Sequence, residues 1–269
     1  MRPVTRSLTL PALCAGAACL LTACGGGGHP APTTANGVAT TTSVSVAAGK
    51  STSSVSGASG VPPLTKREAI AFAQAVNLTA ADVPGFKVQP PEHEHQTAAE
   101  KRLEHDVLRC AGGLAVNRSS VAELNSKEFE LVRGGLHFSV SSGVTVSRTS
   151  AVANGELEAF RSTHAQGCVS HSLDLIFKGK AHAGMTVAPF SISSGAPPAP
   201  GTTGSFGWRV RTTITAQSIR LPVYFDILGF VYGPTQVSLE SYGLGTPFPA
   251  AAEERLFSLL LKRAKAHAV

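Results

Sequence analysis

Phe206-Gly207-Trp208-Arg209-Val210-Arg211-Thr212-Thr213-Ile214-Thr215 alternates apolar and polar side chains without a break. The next run, Ile219 to Tyr232, keeps that period, with Ile219, Leu221, Val223, Phe225, Ile227 and Val231 on one side. A period of two belongs to a strand with a face built for burial, and Gly233-Pro234 turns the chain into a third strand carrying Val237 and Leu239. These three runs predict an antiparallel meander. After it, Pro247 and Pro249 precede a terminal helix reaching about Lys265. Leu256, Leu259 and Leu260 face the sheet, and Arg263 and Lys265 complement the C-terminal dipole.

Upstream of the meander, Phe129 and Leu131, then Leu136, Phe138 and Val140, then Val144 and Val146 recur at every second residue. Gly134-Gly135 and Ser142-Gly143 separate these runs, which predicts short strands joined by hairpin turns. A helix is expected from about Asn154 to Cys168, with Leu157, Phe160 and His164 on one side, resuming with Leu173, Leu175 and Ile176. Further upstream, Thr65-Lys66-Arg67-Glu68 has the form of a capping box opening a helix Lys66 to Val76. A second helix is expected over 97–110, closed by Gly112-Gly113. The sum is one α+β domain over residues 64–269: an antiparallel sheet of about five to six strands, covered by helices.

The amino-terminal third is of another kind. Arg2 and Arg6 precede an apolar stretch from Leu8 to Leu21, and Leu21-Thr22-Ala23-Cys24 follows. A positive start, a short apolar core and a small-residue cleavage site read as an export signal over residues 1–23. The last four residues resemble the bacterial lipobox, in which the cysteine thiol takes a diacylglyceryl group, so Cys24 is the expected lipidation site. The other reading is a soluble secreted protein cut nearby. From Gly25 to Pro63 the chain carries one charged residue, Lys50, and no aromatic, so residues 24–63 should form a flexible tether. Such a chain reaches roughly 35 Å, enough to hold the domain clear of a membrane surface.

Cysteine use follows from this. Cys14 and Cys19 leave with the signal and Cys24 is spent on the lipid, which leaves Cys110 and Cys168 of the five cysteines. Two remaining thiols in an oxidising compartment pair, and closing that loop stabilises a fold by roughly 4 kcal/mol on the chain-entropy model. Losing Arg2 and Arg6 takes the formal charge from +6 to +4, too small to imply a nucleic-acid partner. A lipid anchor on the extracytoplasmic face of the cell membrane is the attachment the sequence supports.

Val144-Thr145-Val146-Ser147-Arg148 followed by a helix bearing Gly167-Cys168 gives a local echo of a known plan. Together with the lipobox, the low-complexity tether, the meander and the closing amphipathic helix, it resembles the actinobacterial lipoproteins with a PsbP-like sandwich. LpqN-type lipoproteins and the extracellular sensor of PknH-type kinases share this plan. The resemblance covers about two thirds of the chain and implies a cell-envelope binding or sensing module. Two departures stand out. The PknH-type sensor is associated with two disulfides, whereas one pair of cysteines is available here, and the single tryptophan, Trp208, lies on a late strand rather than near the helix cysteine.

Candidate sites are few. Arg209 and Arg211 share the alternate face of their strand, and Asp226 interrupts the next strand between Phe225 and Ile227. In register, Asp226 would meet an arginine across the ladder. With Tyr224, Tyr232 and Arg220 the group would line a cleft for an anionic or carbohydrate ligand; the plainer account is a surface ion pair. Glu92-His93-Glu94-His95, with Glu104 and His105 beyond, has metal-ligand types in alternation, but a solvated loop after Pro90-Pro91 is the plainer account. Cys110 and Cys168 alone supply too few ligands for a metal. Glu253-Glu254 opens the last helix, where dipole complementation accounts for it. No nucleophile elbow and no phosphate-binding glycine loop is present.

The expectation is therefore a non-catalytic envelope lipoprotein, without cofactor, whose domain binds a cell-wall component, a lipid or a partner protein. An accessory subunit of an envelope complex is the alternative, and a hydrolase with an unrecognised site the third.

Overall fold

The computed structural model describes residues 64–90, 110, 120–180, 185–216 and 218–267. The expected export signal, Cys24, the expected tether, nearly all of the helix expected over 97–110 and the Glu92–His95 cluster lie outside them.

Four α-helices and nine strands are described: α1 (Lys66–Val76), β1 (Lys87–Val88), β2 (Ser120–Asn125), β3 (Phe129–Arg133), β4 (Leu136–Ser147), α2 (Ser150–Arg161), α3 (Thr163–Lys180), β5 (Met185–Val187), β6 (Ser191–Gly195), β7 (Gly204–Ala216), β8 (Ile219–Tyr232), β9 (Thr235–Leu244) and α4 (Ala250–Ala266). The strands form one antiparallel α+β sheet in the order β1-β3-β4-β9-β8-β7-β5, with β2 also on β4 and β6 also on β7. Four long strands, β4, β9, β8 and β7, make the centre. On one margin β3 pairs with residues 136–140 of β4 and β2 with residues 143–147. On the other, β6 and β5 lie in succession along β7.

This corrects the expected five to six strands. The extra ones are short and carry little alternation: β6 is Ser-Ile-Ser-Ser-Gly, and the β2–β4 register is interrupted between Ser120 and Ala122. A second correction concerns Ser142-Gly143, which is no turn, because β4 runs through it with β9 on one side and β2 on the other. Gly143 is needed for close approach: a Cβ there would lie 2.9 Å from Asn125 Oδ1 and 3.0 Å from Ser238 Oγ. Gly134 and Gly135, by contrast, make the expected hairpin turn between β3 and β4 with φ of 61° and 80°, angles that favour glycine.

The helix expected from Asn154 to Cys168 is two helices. Ser162 breaks it with extended backbone, donates to the Ala159 carbonyl and accepts from the Ala165 N–H, so the same side chain closes α2 and caps α3. At α1 the reciprocal Thr65–Glu68 capping box is present.

Alternate residues of the sheet feed two cores. Leu228, Phe230, Val237 and Leu239 pack with Phe72, Val76, Leu256 and Leu260 of α1 and α4. Phe206, Trp208, Val210, Ile227 and Val231 pack on the opposite face with Leu157, Val169 and Leu173 of α2 and α3. The meander is thus buried on both sides. Trp208 anchors the second core: its indole N–H donates to the Phe160 carbonyl, and the Phe160 ring stacks on Phe206 at 4.5 Å. The Cys110–Cys168 disulfide, with Cα atoms 5.7 Å apart, ties residue 110 to α3. Among the described residues, no helix is long and apolar enough to cross a membrane.

Candidate functional site

Strand register decides where the polar residues of β7 and β8 go. Arg209 pairs with Asp226 and Arg211 with Tyr224. Even-numbered residues of β7 enter the α2–α3 core, so Arg209 and Arg211 stand on the face that carries α4. Arg209 Nε lies 3.5 Å from Asp226 Oδ2, and the Arg211 guanidinium carbon lies 5.8 Å from the centre of the Tyr224 ring. Tyr232 does not join them. It lies six residues beyond Asp226, roughly 20 Å along the strand, and packs against the α1–α4 core.

The structure adds a residue that reading the chain assigned to the helix dipole. Glu253, in the first turn of α4, is buried: Ser241 Oγ donates to its Oε1 at 2.6 Å, and Arg209 Nη2 lies 3.5 Å from its Oε2. One guanidinium therefore lies between two carboxylates from different elements. The signal was present as a Glu-Glu pair, but its partner Ser241 is a strand residue whose meeting with α4 depends on how the helix crosses the sheet. Arg263 sets that crossing: it holds both oxygens of Asp82 at 2.8 and 2.9 Å and the Asn77 carbonyl at 3.0 Å. Burial pushes the Asp82 carboxyl up, but hydrogen bonds from Arg263 and Thr79 outweigh it and leave the group below its ordinary range.

A half-open cleft of about 710 Å³ lies beside this triplet, between α4 and the β6 margin. Gly207 and Leu228 belong to its lining, with Pro197, Pro198 and Phe257 as apolar surfaces and Ser193, Ser194, Ser258, Arg209, Glu253 and Glu254 as polar groups. The 197–198 wall is held to β7 because Ser205 Oγ donates to the Pro197 carbonyl. Apolar planes with hydroxyls and carboxylates at their rims are the composition that binds a hydroxyl-rich ligand. An anion fits poorly, because Arg209 is already engaged by Asp226 and Glu253, and Glu254 adds a further carboxylate to the lining.

Asp226 sits at the base of this charge group. Burial raises its carboxyl, the neighbouring Glu253 raises it further, and Arg209 and Arg211 only partly counter them, so it titrates at about 6. Two of the described histidine rings are engaged otherwise. His137 meets the Glu130 carboxylate at 2.7 Å and His164 the Cys110 carbonyl at 2.7 Å, so neither contact activates a hydroxyl nucleophile. The metal-ligand types of His93 and His95 lie outside the described residues.

No protein-family model matches the chain, and no curated protein matches it in sequence. Among solved structures, the extracellular domain of PknH from Mycobacterium tuberculosis is similar at a TM-score of 0.37 and 11% identity, over 77% of this chain and 100% of that one. At that score the likeness carries no argument about role.

Proposed function

We propose that this chain is an exported, lipid-anchored envelope protein whose domain binds a neutral, hydroxyl-rich segment of the cell wall in the cleft between α4 and the β6 margin. The observation that carries the binding reading is the cleft itself: concave, partly apolar, with the Arg209–Glu253 pair fixed at one end by Ser241. Concavity supports a ligand over a flat assembly surface. Export is supported by the Leu21–Cys24 motif together with a Cys110–Cys168 bridge, which belongs to an oxidising compartment.

Titration of the protein with neutral chito-oligosaccharides tests the cleft. Binding that weakens about tenfold in Arg209→Ala and in Phe257→Ala supports the reading, and no binding at about millimolar sugar rejects it. Palmitate labelling of the native chain against Cys24→Ala tests the anchor independently.

One observation favours a second reading, hydrolysis of the same ligand class. Glu253 and Glu254 are two carboxylates in the lining of a cleft suited to sugar. Chain-length analysis of the oligosaccharide after incubation separates the two, since a binding module returns it intact.

A further inference from the structure

Residues 110, 164 and 168 bring three metal-ligating side chains to one point, and this is independent of the cleft. A ring nitrogen of His164 and the sulfurs of Cys110 and Cys168 all lie within 4.8 Å of one another. His164 and Cys168 are four residues apart on α3, hence on the same helix face, and Cys110 comes from a distant part of the chain. Cys110 and His164 are exposed and Cys168 is buried.

We infer that these three side chains form a Cys2His site for a zinc-type cation, which the disulfide closes and reduction opens. Zinc bound at about 2.3 Å from sulfur and 2.0–2.1 Å from nitrogen in a tetrahedron requires sulfurs about 3.8 Å apart. Once the bond is broken, that separation needs little more than side-chain rotation within the present cluster. His164 Nε2 stands 2.7 Å from the Cys110 carbonyl, an acceptor, which places the ring proton on that nitrogen and leaves a lone pair on Nδ1 for a metal. Three protein ligands leave a fourth position for water or another donor.

The redox step balances with a protein or small-molecule dithiol as reductant. A thiolate of the dithiol attacks the exposed Cys110 sulfur, the S–S bond breaks, and Cys168 leaves as thiolate and takes up a proton. The second thiol of the reductant then displaces Cys110, which is released as a thiol while the dithiol becomes a cyclic disulfide. Metal binding expels one proton from each cysteine, so affinity rises with pH. The bridge and the loaded site are alternative states of the same residues.

The test uses the full chain carrying Cys14→Ala, Cys19→Ala and Cys24→Ala, so that Cys110 and Cys168 are its remaining cysteines. After reduction by dithiothreitol and anaerobic desalting, the protein is titrated with Co2+ and then Zn2+. One equivalent of Co2+ should produce a thiolate-to-cobalt charge-transfer band that Zn2+ abolishes, and the oxidised protein should give none. His164→Ala should weaken Zn2+ binding at least about tenfold, while His164→Cys, which keeps three ligands, should retain the band. Thermal melts of the reduced protein should rise with Zn2+. Absence of the band in the reduced protein overturns the inference, and so does an affinity indifferent to His164→Ala, which would place the metal elsewhere, as on His93 and His95. A reduced chain that unfolds and is not restored by Zn2+ overturns it equally.

Discussion

Arg209 and Asp226 face each other across the β7–β8 ladder at 3.5 Å, and the same guanidinium lies 3.5 Å from Glu253 on α4. Two carboxylates from different elements thus depend on one cation. The folded Asp226 titrates at about 6, above its ordinary 3.8, so the fold is favoured while the group is protonated and loses stability as pH rises through that window. Arg209→Met should steepen the loss. Because Arg209 is half exposed, about 1 kcal/mol is expected near pH 7.5 and much less near pH 4.5, read from urea midpoints. A pH-independent change would contradict the pairing.

Glu240 offers a larger effect of the same sign. Its carboxyl is buried in β9, and burial, with a smaller contribution from Glu128, pushes it up to about 8. The stability it permits is fully present below the unfolded value of 4.5 and is lost as pH climbs through about 8. Glu240→Gln should stabilise the fold increasingly over that range, by roughly 2 kcal/mol or more at neutral pH, read from urea midpoints. Equal stabilisation at acid and neutral pH would refute it.

Trp208 makes a donor contact that phenylalanine cannot. In Trp208→Phe the Phe160 carbonyl loses its indole partner and the core loses volume next to Phe160 and Phe206. A loss of about 2–3 kcal/mol in denaturant unfolding is expected. A loss no greater than a conservative surface change would mean that the contact is not maintained.

Gly143 tests whether β4 is continuous. Alanine there meets the ends of Asn125 and Ser238, side chains of both neighbouring strands, at 2.9 and 3.0 Å. A cost of about 1 kcal/mol is expected, and valine should cost more because its branches need further space. If 142–143 were a turn, both would be tolerated.

The long strands were legible because apolar alternation over β7 and β8 has no helical rival, and α1 and α4 because their caps and apolar stripes agree. β5 and β6 were not, since Met-Thr-Val and Ser-Ile-Ser-Ser-Gly are too short to establish a period and gain their place only by pairing along β7. Ser142-Gly143 misled because glycine serves a turn and a close approach equally well, and only the neighbours distinguish them. Arg209 and Asp226 could be paired from the alternation of their strands. Glu253 could not, since its contacts to Ser241 and Arg209 arise from the crossing of α4 over the sheet. His164 likewise read as one more residue on a helix face until residue 110 was placed beside it.

The succession of short pieces along each margin bears on life among many copies. A lone extended border invites another molecule to add its own strand and so seeds fibrils. Here each border is segmented: β3 and β2 divide one side, β6 and β5 the other, and β1 spans only Lys87 and Val88. Among the described residues no edge strand is longer than the six residues of β2, so neighbouring molecules find little to template growth.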